Sequence, residues 1–576
     1  MRLRRPRWLE RVITIPDAFR ASLEDIVGRP RVLTGDRSTL PYRKGFRAGQ
    51  GGALAVVQPR TLVEMWRVLG KCVGANKVVI LQAANTGLTG GSTPDGDDYD
   101  GDVIIISTLL MRKIFVIDQG RQVVCLAGAT LHQLERVLAP MGREPHSVIG
   151  SSCIGASVVG GVCNNSGGAL TRRGPAFTQL ALFARLDGNG HMRLVNHLGL
   201  KLGREPEEIL DRLERGAFDS ADIVSDAQCH GADHDYERRV RDVDSDRPAR
   251  FNADPGRLFE AAGSAGRVAV FAVRLDTFPK DERCRVFYVG TNDPGELTAL
   301  RRHALQSFKN LPVAGEYMHR AAFDMAEAYG KDTYLAIKYL GTEFLPRMFR
   351  LKAWVDGISM RFGTHSTGLS DRVLQIVSQC FPAHVPLRIR QFKDQFEHHL
   401  MIKTAGDGIE ETEGYLRSVF PSRTGAFFEC TDPEAEGAFL LRYAVAGAAV
   451  RFRTLRPAEV EDIVALDFAL PRNERDWFEP CPEELARMTT ENLLYGHFFC
   501  HVFHQDFVVA KGCDLQAFER IVLATLDRRR AEYPAEHNVG HVYKAKPALA
   551  TFYRELDPLN RFNPGIGQTS KRRSWR

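Results

Sequence analysis

The chain has 576 residues, too many for one hydrophobic core, and its 44% hydrophobic and 26% charged residues are typical of folded globular proteins and exclude bulk disorder. A net charge of +6 is too small to indicate a nucleic-acid partner, and no apolar run approaches the roughly 18–20 residues of a transmembrane helix. There are eleven cysteines without a CxxC pair, and the basic N-terminus lacks the apolar core of a signal peptide, so we expect reduced thiols and a protein that faces the cytosol.

The N-terminal half alternates predicted strands with predicted helices. TLVEMWRVLGKCVGAN (61–76) has apolar residues at helical spacing and ends in a Gly-Ala-Asn stop signal, and TLHQLERVLAPMG predicts a second helix. The predicted strands are ALAVVQ, KVVILQA, DVIIIST, KIFVID, QVVCLAGAT and RVAVFAVRLDTF. Their order indicates an α+β or α/β organisation. Residues 203–250 are rich in Asp, Glu, Arg and His, which predicts an exposed excursion.

After about residue 280, Gly-rich loops become rare and Phe, Met, His and Arg become frequent. Residues 341–403 contain nine Lys or Arg against five Asp or Glu, interleaved with aromatic residues. Such a segment can place its apolar side chains among lipid headgroups while its basic side chains meet the phosphates. The basic ends, residues 1–12 and the tail SKRRSWR, favour the same interpretation. The alternative is a set of ordinary amphipathic helices that cover a core, with termini that are only solvated.

Two stretches of small residues are the strongest signal in the chain. They are AANTGLTGGS (83–92) and GSSCIGASVVGGVCNNSGG (150–168), and neither contains the GxGxxG pattern that opens a nucleotide-binding helix. Successive backbone N–H groups in Gly-rich turns can instead form a nest that binds an anion. A single loop of this kind is usually just a tight turn, but two of them predict a pyrophosphate held between facing loops.

The same residues resemble FAD-binding domains of the vanillyl-alcohol-oxidase type. TGLTGGS is similar to the pyrophosphate loop of that family, IGASVVGGVCNNSGG to its second loop, and DPGRLFEAAGSAGRVAVFAVRL to the element that leads into the adenine-contacting strand. The resemblance implies FAD as cofactor. The implied FAD contacts are Ala83, Ala84, Asn85, Thr86, Gly87, Gly91, Ser92, Gly150, Ser157, Gly167 and, through its main chain, Val270.

Over nearly its full length the chain more specifically resembles the respiratory, quinone-dependent D-lactate dehydrogenases of bacteria. YRKGFRAGQGGALAVV, GREPHSVIGSSCIGASVVGG, GEYMHR, PAEHNVGHVYKA and NPGIGQTSKR carry this resemblance. It implies a peripheral-membrane flavoenzyme that oxidises (R)-lactate to pyruvate and reduces a membrane quinone, either ubiquinone or menaquinone. It also implies an anionic lipid surface at the cytoplasmic face of the bacterial inner membrane as partner, and no nucleic acid.

The implied fold is α+β: a two-lobed FAD-binding domain of the vanillyl-alcohol-oxidase type, an α+β cap or substrate domain, and a basic helical membrane-association region. The predicted boundaries are 1–276 with 526–576 for the FAD-binding domain, 277–318, 396–433 and 458–525 for the cap, and 319–395 and 434–457 for the membrane-association region.

The flavin loops depart from the family pattern in two ways. Gln82, Ala83 and Ala84 stand where a Pro-Arg-Gly often begins the first loop, and that loop has no His or Cys to tether a flavin covalently. In the second loop Cys153 and Cys163 are possible tethers, but small buried thiols are the favoured explanation. We therefore expect non-covalent FAD.

Two C-terminal stretches, YGHFFCHVFHQDF and AEHNVGH, contain candidate catalytic residues. Oxidation of a 2-hydroxy acid requires a base for the hydroxyl proton, and His titrates in the right range. The stretches resemble a GHxGDGNxHxN strand and an EHG loop of related 2-hydroxy-acid dehydrogenases. The resemblance implies His537 as the base and His497, His504 and Glu536 as ligands of a divalent metal, Zn or Mn, in the catalytic centre.

One feature argues against the metal. Positions 497 and 504 differ by an odd number, so an undistorted strand would aim the two side chains at opposite faces, and a bulge or turn between them is required. The Gly residues of the GDGN motif are replaced by Phe499, Cys500, His501 and Val502. If no metal is bound, we expect His497 and His504 to be polar residues that orient the substrate.

A planar Arg is best suited to hold the substrate carboxylate. Arg320, Arg451, Arg453 and Arg472 are candidates, although for any single one of them a solvated surface position is the favoured explanation. Two other functions stay open: a flavin dehydrogenase or oxidase for another D-2-hydroxy acid, and a non-catalytic protein that binds membranes or nucleic acid.

Overall fold

The computed structural model describes residues 15–146, 155–224, 229–341, 348, 352, 368–479 and 481–576. Within these ranges helices and strands are mixed along the whole chain, and the three larger sheets have four, five and seven strands. Elements are numbered in chain order.

The first sheet is built from the predicted N-terminal strands. Its strands are β1 (Val32–Leu33), β2 (Ala55–Val57), β3 (Val78–Gln82) and β4 (Val103–Ser107), in the order β1-β2-β4-β3. β2, β4 and β3 are parallel, and almost all their side chains are buried, as expected when both faces of a parallel sheet are covered. The helices of this region are α1 (Asp17–Val27), α2 (Asp36–Arg43) and α3 (Leu62–Gly74).

Helix α3 forms where the sequence predicts a helix, because its cap and its apolar spacing are both local signals. Thr61 caps its N-terminus by accepting a hydrogen bond from the Glu64 backbone N–H. Its buried residues, Leu62, Met65, Val68, Leu69 and Cys72, recur at intervals of three or four and pack against the first sheet.

The second sheet is antiparallel and follows the order β5-β6-β10-β8-β9. Its strands are β5 (Ile114–Ile117), β6 (Gln122–Leu126), β8 (Ala181–Leu186), β9 (Met192–Asn196) and β10 (Ala269–Asp276), and β7 (Arg143–Glu144) pairs separately with β11 (Phe278–Pro279). Helices α4 (Leu131–Leu138), α5 (Val158–Cys163), α6 (Pro206–Arg215) and α7 (Tyr236–Arg241) lie between these strands in the chain. One hydrophobic cluster joins the first and second sheets.

The third sheet has seven strands in the order β15-β12-β14-β13-β17-β18-β16. They are β12 (Cys284–Thr291), β13 (Ala314–His319), β14 (His398–Ala405), β15 (Gly425–Glu429), β16 (Val460–Ala469), β17 (Thr489–His497) and β18 (Val502–Ala510). One face packs against helices α8 (Pro294–Ser307), α13 (Gly408–Val419), α15 (Glu483–Ala486) and α16 (Leu515–Arg528). The last helix, α17 (Pro547–Leu556), leads to the tail.

The opposite face of the third sheet is covered by α9 (Arg320–Tyr329) and the long α14 (Asp432–Leu455). Helix α12 (Leu387–Gln395) packs on the same side, with Phe392 against Tyr288 of β12, while α10 (Lys331–Leu340) and α11 (Leu369–Gln379) contact α14. Helices α10, α11 and α12, together with Phe381 in the loop after α11, carry exposed apolar side chains, here named the apolar face: Tyr339, Leu340, Val373, Ile376, Val377, Phe381 and Leu387. Among the described residues, no helix combines the length and the apolar character needed to cross a membrane.

Short 3₁₀ turns occur at Arg29–Arg31, Asp118–Gly120, Ala139–Met141, Ser220–Asp222, Pro255–Arg257, Phe498–Cys500, Ile566–Gln568 and Arg573–Trp575. The turn at Phe498–Cys500 joins β17 to β18 and shapes the candidate active site.

Two segments differ from what the sequence suggested. The expectation that 203–250 is an exposed excursion is wrong for both ends of the segment. Ile209, Leu210 and Leu213 of α6 join one hydrophobic core, and Tyr236, Val240 and Val243 join another, while Arg250 is buried. The basic tail docks on its own chain: the Lys571 ammonium lies 2.6 Å from an Asp98 carboxylate oxygen. The N-terminal residues 1–12 lie outside the described residues.

Candidate active site

The two small-residue stretches lie beside the loop that carries Glu536 and His537, and Asn538 joins all three. The Thr89 hydroxyl of the first stretch donates a hydrogen bond to the Asn538 carbonyl at 2.8 Å. The Asn538 side-chain amide donates to the Asn164 side-chain oxygen of the second stretch at 2.6 Å. The fold therefore places both loops of the predicted FAD cradle next to the predicted catalytic residues.

Close packing explains two of the glycines. A Cβ at Gly91 would lie 2.8 Å from the Asn538 side-chain nitrogen, and a Cβ at Gly167 would lie 2.6 Å from Glu536 Oε1. A Cβ at Gly87 would have no protein atom within 4 Å, and the preceding residues 83–86 are partly exposed. The first loop thus borders open space, which fits a group bound against its backbone.

The other predicted FAD contacts are distributed as follows. Asn85 adopts a left-handed φ of 53° and donates from its side chain to the Lys44 carbonyl, while the Ser92 hydroxyl donates to the Asn85 side-chain oxygen at 3.3 Å. The Ser157 hydroxyl caps α5 by accepting from the Gly160 N–H. Val270 lies on β10, where the pairing with β8 shifts register just after it. Gly150 and Cys153 lie outside the described residues.

A hairpin brings His497 and His504 to the same face of the third sheet. β17 ends at His497, the chain turns through Phe498–Cys500, and His501 takes a left-handed φ of 54° before β18 begins. His497 then pairs with Val502 and Tyr495 pairs with His504. The turn that the odd spacing requires is therefore present without glycine, because His501 adopts the conformation that a glycine would otherwise supply.

The His497, His504 and Glu536 side chains form the cluster best suited to a metal among the described residues. Their ligand atoms all lie within 4.8 Å of one another. Glu536 Oε2 is 3.3 Å from His497 Nε2 and 3.7 Å from His504 Nε2. Ligands about 2.0–2.1 Å from a tetrahedral zinc ion lie roughly 3.3 Å apart, so the donor set and its spacing fit such an ion.

Four further residues, three of them buried and Arg442 largely so, surround this cluster and were not identified from the sequence. Glu316 Oε1 is 2.6 Å from His497 Nδ1, and Glu316 Oε2 is 3.1 Å from Arg442 Nε. The Arg250 guanidinium donates to Glu536 Oε1 at 2.9 Å, and Asp467 accepts from the Glu536 backbone N–H. Glu316 stands in the GEYMHR motif, but only the strand register shows that it faces His497.

The charges of the cluster are strongly coupled. Burial alone lowers the pKa of His497, but the carboxylates of Glu316 and Glu536 outweigh it and raise this pKa to about 10. Burial likewise opposes ionisation of Glu536, yet His497 and Arg250 hold the pKa of its carboxyl well below the usual value. Burial keeps the pKa of His504 well below its ordinary value. Glu536 and His504 are therefore already in the forms that bind a cation, whereas His497 is protonated and would have to release its Nε2 proton to a metal ion.

His537 lies beside this cluster, half-buried, with its ring centroid 6.4 Å from that of His504. The four arginines considered from the sequence are engaged elsewhere. Arg451 pairs with Asp332 and Asp371, Arg453 with Asp462, Arg320 with Glu397, and Arg472 with Asp242 and backbone carbonyls. Arg442, whose guanidinium lies 4.4 Å from the Tyr495 ring centroid, takes their place near the cluster.

Comparison with known proteins gives matches over nearly the whole chain. Residues 53–195 match a family model described as an FAD binding domain, and residues 286–575 match one described as D-lactate dehydrogenase, membrane binding. The quinone-dependent D-lactate dehydrogenase of Escherichia coli (strain K12) is 53% identical over 97% of this chain and 98% of its own length. The enzyme of the same name from Corynebacterium glutamicum is 44% identical over 97% of both chains.

The solved structures extend the comparison to the fold. A substrate-bound p-cresol methylhydroxylase, 13% identical, superposes with a TM-score of 0.56 over 96% of both chains. At this identity the likeness concerns the fold alone, which is α+β and of the vanillyl-alcohol-oxidase type, as the sequence predicted. The matches over nearly the full length decide the family. The chain belongs to the quinone-dependent D-lactate dehydrogenases.

Proposed function

We propose that this protein oxidises D-lactate to pyruvate with bound FAD and passes the electrons to a membrane quinone. The observation that carries the proposal is the position of Asn538, which joins both small-residue loops to the loop of Glu536 and His537. A cofactor held by the loops and a substrate held by the His–Glu cluster are then neighbours. The names of the relatives supply the substrate and the acceptor.

FAD is assigned to the cradle formed by the two loops. Ala83–Gly87, Gly91, Ser92, Ser157, Gly167 and the Val270 main chain are the proposed contacts, with Gly150 in the part of the second loop that is not described. When bound, FAD supplies the acceptor for the hydride of the substrate C–H bond. Non-covalent binding is favoured because burial raises the pKa of the Cys163 thiol to about 11, which keeps it in the unreactive protonated form.

His537 is the proposed general base, and its imidazole accepts the proton of the substrate hydroxyl. It is half-buried, so a small substrate can approach it, and it lies beside the cluster that would hold that substrate. His497, His504 and Glu536 are the proposed ligands of Zn²⁺ or Mn²⁺. Such an ion acts as a Lewis acid that acidifies a bound hydroxyl.

Arg442 is the proposed partner of the substrate carboxylate. Its Nε faces Glu316, so the terminal nitrogens of the guanidinium remain for a planar, bidentate contact. The side chain is largely buried, with 11% of its surface exposed, which strengthens its attraction for an anion.

Each of the three proposed regions of the chain has its own function. Residues 1–276 and 526–576 bind FAD, residues 277–318, 396–433 and 458–525 form the substrate domain, and residues 319–395 and 434–457 associate with the membrane. The apolar face on α10, α11 and α12 supports the last assignment, with side-chain exposure of 65% at Ile376 and 64% at Leu387. We place this face against the anionic cytoplasmic leaflet of a bacterial inner membrane, where it meets ubiquinone or menaquinone.

A vesicle sedimentation assay tests the membrane assignment. Ile376→Asp should weaken binding to vesicles that contain phosphatidylglycerol, because a carboxylate would enter the headgroup region of an anionic surface. Val116→Asp, at a 38% exposed position on β5, serves as the matched control and should bind normally. Equal loss in both variants, or none in Ile376→Asp, would contradict the assignment.

A substrate panel tests the catalytic proposal. Purified protein saturated with FAD is assayed with D-lactate, L-lactate and larger D-2-hydroxy acids, with either a soluble quinone analogue or oxygen as acceptor. We expect the highest kcat/KM for D-lactate and much faster turnover with the quinone than with oxygen. A preference for a larger D-2-hydroxy acid, or efficient reduction of oxygen, would assign the protein to a related function instead.

A further inference from the structure

Glu316 connects two parts of the candidate active site that are otherwise separate. It lies on β13 directly opposite His497 on β17, because the antiparallel register pairs these two residues. Its side chain is buried, with 4% of the residue exposed. Cross-strand partners on the same face have adjacent side chains, so the strand pairing itself brings this carboxylate to the imidazole.

The first oxygen of Glu316 determines how His497 is presented. Oε1 is 2.6 Å from His497 Nδ1, and because a carboxylate oxygen only accepts, Nδ1 carries a hydrogen and donates a hydrogen bond to it. The other ring nitrogen, Nε2, then points towards Glu536 Oε2 at 3.3 Å. A carboxylate that accepts from the far nitrogen of an imidazole selects the tautomer and fixes the ring orientation that a metal ligand needs.

The second oxygen of Glu316 holds the arginine. Oε2 is 3.1 Å from Arg442 Nε, and among the described residues Glu316 is the one acid that forms an ion pair with Arg442. Arg442 enters the site from α14, and its guanidinium lies over the Tyr495 ring. The position of its terminal nitrogens therefore depends on Glu316.

We propose that Glu316 is a positioning residue that sets two binding functions at once, with one oxygen orienting His497 towards the metal and the other orienting Arg442 towards the substrate carboxylate. This inference rests on the proposed roles of His497 and Arg442. It predicts that metal affinity and substrate affinity change together when this one carboxylate is altered.

Glu316→Gln tests the inference, because a neutral amide with one accepting oxygen cannot both accept from His497 Nδ1 and form the ion pair with Arg442. The holoenzyme is measured in three ways: zinc affinity by competition with a chelator, FAD content, and the KM and kcat for D-lactate. We expect zinc affinity to fall about 10- to 100-fold and KM to rise about tenfold or more, with FAD content unchanged. A residue that only supports the fold would lower yield or FAD content instead.

The matched control is Glu296→Gln. The Glu296 carboxylate also accepts from two partners, the hydroxyls of Thr291 and Thr424, but it does so near β15 at the edge of the third sheet. We expect its zinc affinity and KM to match the wild-type values. If both variants lose zinc affinity alike, a general loss of packing explains the result and the inference is overturned.

The possible results separate this inference from the proposed metal site. If wild-type protein takes up no metal, the metal site is wrong and the inference falls with it. If wild-type protein binds one metal and Glu316→Gln binds it equally well with an unchanged KM, the site stands and the inference alone is overturned. Should Glu316→Gln fail to fold, Glu316→Asp is measured, since its shorter carboxylate cannot reach both partners, and unchanged zinc affinity and KM there would equally overturn the inference.

Discussion

Gly167→Ala should disable the candidate active site without altering any chemical group in it. The new Cβ would lie 2.6 Å from Glu536 Oε1, 2.9 Å from its Cγ and 3.0 Å from its Cδ. Relief to an ordinary contact of 3.4 Å displaces Oε1 by 0.8 Å. That oxygen accepts the Arg250 hydrogen bond at 2.9 Å, and the other oxygen of the same carboxylate faces His497 at 3.3 Å.

The size of the effect follows from the contacts that must break. A hydrogen bond to a charged group contributes about 1.5–3 kcal/mol, and loss of one such contact corresponds to a factor of roughly 10 to 100 in an equilibrium or rate constant. We therefore expect kcat/KM for D-lactate to fall by this factor, with a parallel loss of bound metal. The backbone of Gly167 does not require a positive φ, so the alanine itself adds no backbone strain.

The assay compares steady-state kcat/KM and metal content in wild type, Gly167→Ala and Gly414→Ala. Gly414 lies on α13, where a Cβ would meet no atom within 4 Å, and its replacement should leave activity unchanged and increase stability by a few tenths to about 1 kcal/mol. Wild-type activity and metal content in Gly167→Ala would refute the reasoning, because the second loop would then not be packed against Glu536.

Three further changes test other parts of the account. Gly87→Ala should leave the melting temperature of FAD-free protein unchanged yet lower FAD affinity about tenfold or more, since a Cβ there meets no protein atom within 4 Å. His537→Ala should keep its yellow colour while kcat falls roughly 10²- to 10⁴-fold. His399→Leu should reduce the acid sensitivity of folding. Burial lowers the pKa of His399 to about 3, so between pH 6.5 and 3 this side chain is protonated in the unfolded chain and neutral in the folded chain.

The buried His399 side chain should make the folded protein less stable in acid. Below the ordinary histidine pKa of about 6.5 the unfolded state binds the proton, so folding stability falls as pH decreases from about 6.5 towards 3, by up to about 1.4 kcal/mol per pH unit for this one group. His399→Leu should remove that dependence of folding stability on pH. The substitution should change the free energy of unfolding less at pH 8 than it does in acid. An unchanged slope between pH 6.5 and 4.5 would show that His399 is protonated in the folded protein.

The predictions for Gly87→Ala and His537→Ala can each be contradicted by a single result. Normal FAD affinity in Gly87→Ala would mean that the first loop does not face the cofactor. Normal flavin reduction in His537→Ala would mean that another group removes the hydroxyl proton. In both cases the melting temperature of the FAD-free protein serves as the internal control for folding.

Local patterns were sufficient for much of the fold. α3 was predictable because its cap and its apolar spacing lie within one short segment, and β3, β4 and β10 are continuous apolar runs. The odd spacing of His497 and His504 correctly indicated that a turn must separate them. That turn was hard to foresee because it depends on a left-handed His501, a conformation that the sequence pattern assigns to glycine.

Residues that act through tertiary contacts could not be found in this way. Glu316 is recognisable only from its register opposite His497, and Arg442 lies on a helix far along the chain. Arg250 belongs to a charged stretch that looked exposed, although its side chain is buried against Glu536. For the same reason Arg451 and Arg472 looked as suitable as Arg442, since the ion pairs that engage them connect distant segments.

The most direct test of the central claim is anaerobic titration of the purified, FAD-saturated protein with the two enantiomers of lactate. We expect one tightly bound, acid-extractable FAD per chain whose yellow absorbance is bleached by D-lactate and restored by a quinone analogue, while L-lactate has no effect. Protein that binds no FAD when saturated, or bound FAD that D-lactate does not reduce, would contradict the central claim.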